Sequence, residues 1–519
     1  MRDDIDYIPT NRFVLWGHHF TAVAGAAPII GPGIAVIWGW LPAFLWVILG
    51  TMFFAGVHDF GAIWASVRSK AKSVGSLTGD VVSPRARTLF MIVVFFLLMM
   101  VNAVFAVAIS DAFQQTPSSV IPAWTAVFVA VVIGILIYRM GVPLLWPTIV
   151  GTVILYAVIY LGEAVPISLT AGSLGLPVGA QWILILFLYA GIASLLPVWL
   201  LLQPRDYING IQLFVGLGLL YGAVLIANPT IIAPAINPNV PAAAPPMFPL
   251  LFVTIACGAI SGFHGLVGSG TTSKQLNKET DARFVGYLGS SGEGALALVA
   301  IIAATAGFGS LGEWEAMYTN FGDGGMVAFV TGGSTIVASG VGISTEFAAT
   351  LLTVMAVLFA GTTMDAGVRL QRYIVQEWGT IYRIPVLQNG YIATGGAVAA
   401  CLLLAFGAGG PSGEGGMLIW PLFGTTNQLL AGLTLLVISV MLVKLGRPVR
   451  YTLVPMLFIT TMALAAALVQ LQTLYREGGI FYFLLWIDVA VVIIAIFVLL
   501  EASSAFMRER RAAEAGAGG

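Results

Sequence analysis

Lysine and arginine recur in this chain at every second gap between long apolar stretches. Fourteen such stretches can be marked, at about 13–36, 41–65, 88–113, 122–138, 143–162, 181–202, 208–233, 248–269, 285–307, 346–368, 390–407, 417–443, 451–473 and 480–505. Each is close to the ~20 residues needed to cross a bilayer as a helix. If the chain alternates sides, 21 of its 22 basic residues fall on one face and only Arg476 on the other. The positive-inside rule makes the basic face cytoplasmic, with both termini on it. Only 9% of residues are charged, against about 25% in soluble domains. The fold class is therefore an all-α polytopic membrane protein of about 14 transmembrane helices.

The first stretch, Phe13 to Trp38, breaks helix rules in its middle. Gly25, Pro28, Gly31, Pro32 and Gly33 lie within nine positions, just after the adjacent His18 and His19. Proline removes a backbone donor and glycine weakens a helix. In lipid, freed backbone groups are tolerated only where they line a cavity or are buried in protein. A broken membrane helix is the best sequence pointer to a transporter's substrate site. A signal peptide is the alternative outline, with Arg2 and Arg12 as its basic flank and Ala22 to Ala24 as its cleavage site, but the two histidines interrupt its apolar region.

The sixth stretch carries Gly191 and Pro197 near its middle and runs in the opposite direction. Two broken helices five segments apart fit an inverted five-plus-five repeat, LeuT-like in type. The rival is a seven-helix offset, which pairs the first stretch with the glycine-rich eighth and aligns Trp146-Pro147 with Trp420-Pro421. The expected divisions are an N-terminus at 1–12, a transporter core at 13–368, further membrane helices at 369–505 and a tail at 506–519. Residues 308–346 form a glycine-rich outer loop, either a lid over the outer mouth or disordered surface.

Four histidines exist, His18, His19, His58 and His264, all in the first, second and eighth stretches. Histidine changes charge near neutral pH and suits proton carriage, and Asp59 beside His58 is an ionisable residue inside a membrane segment. Each histidine can equally be a hydrogen-bonded structural group. A metal site is disfavoured, because adjacent helical residues point ~100° apart and no cysteine accompanies the histidines. Ser261, Ser269 and Thr272 of the eighth stretch, with free carbonyls near Ala24 to Ala27, offer oxygen ligands for Na⁺; packing between helices is the alternative use of that stretch. Arg205 and Asp206 form either an inner gate or an interfacial anchor. Asp365 and Arg369 have the spacing of a helix-surface ion pair. Glu293 and Asp488 also lie in apolar stretches, without an assigned role. The P-loop spacing is absent from Gly268 to Lys274, no G-x-S-x-G turn occurs, and no basic patch suits nucleic acid.

The blocks LWGHHFTAVAGAAPIIGPGIA, LPVWLLLQPRDYING, FVTIACGAISGFHGLVGSGTTSKQL, MDAGVRLQRY and LWPLFGTTNQLLAGL resemble the carbon starvation protein A family of bacterial membrane transporters. The resemblance runs from about Asp6 to Lys444. It implies an inner-membrane secondary transporter, active in carbon starvation, that imports a small carboxylate. Family members are described as proton-coupled pyruvate transporters or as peptide transporters. It also implies the amino-acid/polyamine/cation superfamily fold, with the first and sixth core helices broken around substrate and a cation site between the first and eighth. The substrate then meets Gly25, Ala26, Ala27 and Gly31, and Ala193, Ser194 and Pro197. Ion coupling falls to His18, His19, Asp59, Ser261, His264, Ser269 and Thr272. No cofactor is expected beyond the coupling ion, H⁺ or Na⁺; the partners are substrate and membrane lipid, and nothing signals an oligomeric state. A membrane receptor that senses nutrient without moving it is the alternative of another class. Family members carry one or two helices before the stretch matched here by Arg2 to Thr10, so either this is a short form or its true start lies upstream.

Overall fold

The computed structural model describes residues 9–172, 175–410, 413–479 and 481–517. Arg2 to Ile8, part of the expected N-terminal division, lie outside them. Among the described residues the architecture is helical, and one isolated bridge joins Thr10 to Leu276.

The first stretch is two helices, α1 (Arg12–Val23) and α2 (Ala27–Ala35), bent by 53°. The break sits at Ala24 to Ala26. Pro28 follows it in the first turn of α2, where its missing N–H has no partner to lose. Pro32 falls inside α2, which tightens into a 3₁₀ turn at Val36–Trp38. The second stretch is α3 (Trp40–Gly50) and α4 (Gly56–Arg68), joined by a π-helical turn at Thr51–Ala55. A short α5 (Val74–Val81) leads to α6 (Pro84–Gln115), α7 (Val120–Tyr138), α8 (Leu145–Gly162), α9 (Val178–Leu195) and α10 (Leu202–Ala227). The eighth stretch is split into α11 (Met247–Thr254) and α12 (Gly262–Val267), which continues through a second π turn at Gly268–Thr272 into α13 (Ser273–Gln275). After α14 (Asp281–Ala306) come α15 (Leu311–Met317), α16 (Gly325–Val341) and α17 (Thr345–Ile381). The chain closes with α18 (Pro385–Gln388), α19 (Gly390–Gly409), α20 (Trp420–Lys444), α21 (Arg450–Glu477) and α22 (Phe481–Ala517).

Among the described residues, 12 helices are long and apolar enough to cross a membrane, or 13 with the bent pair as one span. The expected fourteenth is the eighth stretch, where helix is lost at residues 255–261. The second broken helix is therefore the eighth segment. The sixth is continuous to Leu195, Gly191 is helical within it, and Pro197 lies past its end in the turn to α10. The loop expected on the outer side carries α16, which packs on α2, α10, α14 and α17. Trp314 Nε1 donates to the Ala304 carbonyl (3.1 Å) and Tyr318 Oη to the Gly33 carbonyl (2.8 Å). The expected division at 368/369 falls within α17.

The two breaks meet. A Cβ on Gly31 would lie 2.5 Å from the Thr254 carbonyl oxygen, so only glycine lets α2 press on the unwound strand. Gly258, within that strand, has φ +97 and rests against Pro28. The freed carbonyls find side-chain donors, as backbone buried in a membrane must. Trp420 Nε1 donates to Thr254 O (3.2 Å), Trp46 Nε1 to Ile255 O (3.2 Å) and Thr51 Oγ1 to Gly258 O (3.1 Å). Asn427 accepts the Phe263 N–H that opens α12 (3.0 Å) and donates to Ser261 Oγ (3.1 Å).

Candidate functional site

Below the unwound strand, α4, α12 and α14 bring four ionisable side chains together. His58 and Asp59 follow the π turn on α4, His264 begins α12, and Glu293 sits mid-way along α14. All four are fully buried or nearly so. Small residues permit the approach: a Cβ on Gly286 would strike the Phe60 backbone, and one on Gly289 would strike the His19 ring.

Asp59 joins both neighbouring histidines. Its Oδ1 lies 2.9 Å from His58 Nδ1 and its Oδ2 lies 2.8 Å from His264 Nδ1. The other ring nitrogen of His264, Nε2, lies 2.9 Å from Glu293 Oε2, an ionic contact set off the line of a straight hydrogen bond. The geometry constrains protons. A neutral imidazole has one donor and one acceptor nitrogen, and ionised carboxylates only accept. A ring flanked on both sides by carboxylate oxygens must therefore be an imidazolium, or one carboxyl must carry the proton. Asp59, His264 and Glu293 are thus placed to share one proton, and its loss would leave a nitrogen lone pair facing a carboxylate in a buried site.

Of the other expected coupling residues, His19 borders this cluster. Its Nδ1 lies 2.9 Å from Thr272 Oγ1, and its Nε2 has no hydrogen-bond partner. His18 is only half-buried and takes part in none of these contacts. The eighth-segment hydroxyls are already engaged by protein partners. Ser261 bonds Asn427, and Ser269 donates to Gly265 O (2.6 Å) while accepting the Val74 N–H that opens α5 (3.0 Å). The hydroxyl that reaches the α1–α2 break comes from elsewhere: a Cβ on Gly25 would lie 2.7 Å from Thr363 Oγ1 of α17.

Of the expected substrate residues, Gly25, Ala26, Ala27 and Gly31 all lie at the paired breaks. Ala193, Ser194 and Pro197 do not join them. They belong to the end of α9, which packs on α6, α17 and α19, whereas α1 and α2 pack on α10, α14 and α16. The Ala193 carbonyl accepts from Arg369 Nη2 (2.8 Å), and Ser194 Oγ donates to Gly191 O (2.9 Å).

The expected gate pair is also rearranged. Arg205 of α10 is paired with Asp365 of α17, not with Asp206, and both also bond the Tyr189 hydroxyl. Asp365 and Arg369 are buried, and Arg369 donates to carbonyls at the end of α9 instead of forming a surface pair. Glu293 was visible in the sequence as a membrane carboxylate, but its partner His264 comes from another helix. Tyr189 and Thr363 carried no sequence signal at all.

The family model described as carbon starvation protein CstA matches residues 1–310 and 309–466. This chain belongs to the CstA family. The Peptide transporter CstA of Campylobacter jejuni is 32% identical across 92% of this CstA-family chain and 75% of its own length. The Peptide transporter CstA of Bacillus subtilis is 32% identical, covering 87% and 80%. The Pyruvate/proton symporter BtsT of Escherichia coli is 31% identical, covering 92% and 77%. Among solved structures, a manganese transporter of Eremococcus coleocola superposes with a TM-score of 0.57 over 98% of this chain and 99% of its own, at 11% identity. That likeness is one of fold alone. This CstA-family chain is thus a multi-pass membrane protein whose relatives are named transporters.

Proposed function

We propose that this chain imports a small carboxylate, pyruvate in the first instance, by symport with H⁺. The observation that carries the reading is His264 held between Asp59 and Glu293, a dry cluster built to keep or release one proton. The cluster lies beside the two breaks where substrate would bind, so proton and substrate can be exchanged by one movement. The substrate carboxylate meets the N-terminus of α2 at the break, where helix ends favour anions. Alternating access follows from rocking two inverted repeats that open on α1 and α11, seven segments apart. The basic face is cytoplasmic in this reading, and α16 closes the outer side.

The test is uptake of labelled pyruvate into proteoliposomes under an inward H⁺ gradient and, separately, an inward Na⁺ gradient. Accumulation with H⁺ alone supports the reading. Accumulation only with Na⁺ moves coupling to the Gly25 break and Thr363. A peptide substrate is the second reading, and one observation favours it. An outer cavity of about 310 Å³ reaches from Ile30 to Asp111, Gln115 and Thr331, with an acidic lining residue and no basic one among the described residues. That chemistry suits an ammonium group, which a peptide has and pyruvate lacks. Competition of pyruvate uptake by dialanine decides between them.

A further inference from the structure

Beside the break in α1, helices α10 and α17 run antiparallel with polar side chains between them. Asn209 Nδ2 of α10 donates to Thr362 Oγ1 and to the Leu358 carbonyl (3.2 Å) of α17. One turn nearer the basic face, Arg205 meets Asp365. Asp365 is two residues along α17 from Thr363, the residue at Gly25, or about 3 Å of helix rise. The Arg205 guanidinium therefore stands at nearly the level of the break but across α17 from Gly25, because two residues turn a helix by about 200°.

Its pairing is incomplete. Arginine and a carboxylate ordinarily engage through two parallel bonds. Here Arg205 Nη1 alone serves Asp365 Oδ2 and the Tyr189 hydroxyl, which itself donates to Oδ2 (2.7 Å). Arg205 Nε and Asp365 Oδ1 are buried without partners, as is Asp206 Oδ1 next door. Idle donors and acceptors in a site 3% exposed are costly in a pair kept for stability alone. A small cavity of about 30 Å³, room for roughly one water, opens between Arg205, Tyr189 and Gly361. Gly361 is required there, since a Cβ would lie 2.5 Å from Arg205 Nη2.

We propose that Arg205 is a carboxylate-binding station on the substrate path, and that Asp365 is a resident carboxylate which the substrate's own carboxylate displaces. This rests on the transport reading and adds to it a residue for the anionic group. The station serves pyruvate and the C-terminus of a peptide alike. Tyr189 holds Asp365 on the guanidinium while substrate is absent. When substrate arrives, its two oxygens take the Nε and Nη donors, and Asp365 turns away with α17. A buried arginine is thus never left without a counter-charge.

The test is equilibrium binding of labelled pyruvate to the full chain in detergent, with methyl pyruvate, dialanine and dialanine amide as competitors. Asp365→Asn removes the resident competitor and is expected to bind pyruvate about 10-fold tighter. Arg205→Lys keeps the charge but loses the fork, and is expected to bind at least 10-fold more weakly. The carboxylate-blocked methyl pyruvate and dialanine amide compete equally poorly against all variants. Tyr189→Phe, which loosens Asp365 without removing a charge, is expected to bind 2–3-fold tighter, and it carries the test if Asp365→Asn is not monodisperse. Pyruvate affinity in the Asp365→Asn or Tyr189→Phe protein equal to or below that of the wild type overturns the station and leaves the transport reading standing. Wild-type protein that binds neither pyruvate nor dialanine overturns the transport reading, and the station with it.

Discussion

Glu293→Gln separates proton coupling from substrate movement. The substitution keeps the side chain's shape and removes its charge and its ability to hold the shared proton. Two unit charges at the 2.9 Å separation of His264 and Glu293 attract by about 6 kcal/mol at an effective dielectric constant of ~20. Breaking buried pairs costs about 3–5 kcal/mol in measured cases, because desolvation offsets part of the attraction. The glutamine amide can still contact Nε2 and return about 1 kcal/mol. The expected net loss is therefore about 2–4 kcal/mol, visible as a lower unfolding temperature in detergent. The functional effect is larger. One pH unit across the membrane supplies about 1.4 kcal/mol, so one-proton symport accumulates substrate about tenfold. In the Glu293→Gln protein that ratio should fall to about one, while exchange of labelled for unlabelled substrate continues. The assay is pyruvate uptake and counterflow in the same proteoliposome preparation. Tenfold accumulation by Glu293→Gln would refute the assignment of the shared proton to this cluster.

Asp59→Asn should likewise abolish pH-driven accumulation and spare exchange, and a double-mutant cycle with Glu293→Gln should show strong non-additivity, because both act through His264; additive losses would mean two independent proton sites. Gly31→Ala should destabilise the protein by about 1–3 kcal/mol, since its methyl must displace the Thr254 carbonyl, read as a shift in thermal unfolding with a fall in uptake rate. Asn427→Ala should cost a similar ~1–3 kcal/mol by leaving the Phe263 N–H and the unwound strand unsatisfied; an unchanged melting profile would show that the donors Trp420, Trp46 and Thr51 hold the strand without it.

The extent to which the sequence foretold this site differs residue by residue. The first broken helix was legible because Gly25 and Pro28 disrupt a helix locally, whatever surrounds them. The same rule misled at Pro197, which stands just past the end of α9, where a proline ends a helix without breaking a span. The eighth segment was the harder case. Its glycines admit both tight helix packing and unwinding, and the choice is made by donors from other helices, Trp46, Thr51 and Trp420. Asp59 and His264 could be singled out because an ionisable residue in an apolar segment has to be accounted for. Glu293 met the same criterion yet could not be placed, since its partner His264 is carried on a different helix. Arg205 pointed to its neighbour Asp206 in sequence, but successive helical residues face ~100° apart, and the antiparallel crossing of α10 and α17 delivers Asp365 instead.

Membrane residence, the broken first span and family membership can all be read along the chain. Those properties follow from hydrophobicity, charge placement and backbone chemistry, each of which acts within one segment. Helix packing was needed to reveal that the eighth segment is the second broken helix, that His264 has a carboxylate on each side, and that Arg205 faces Asp365. Hydrogen bonds and ion pairs act over about 3 Å, and helices separated by tens or hundreds of residues must pack before those partners meet.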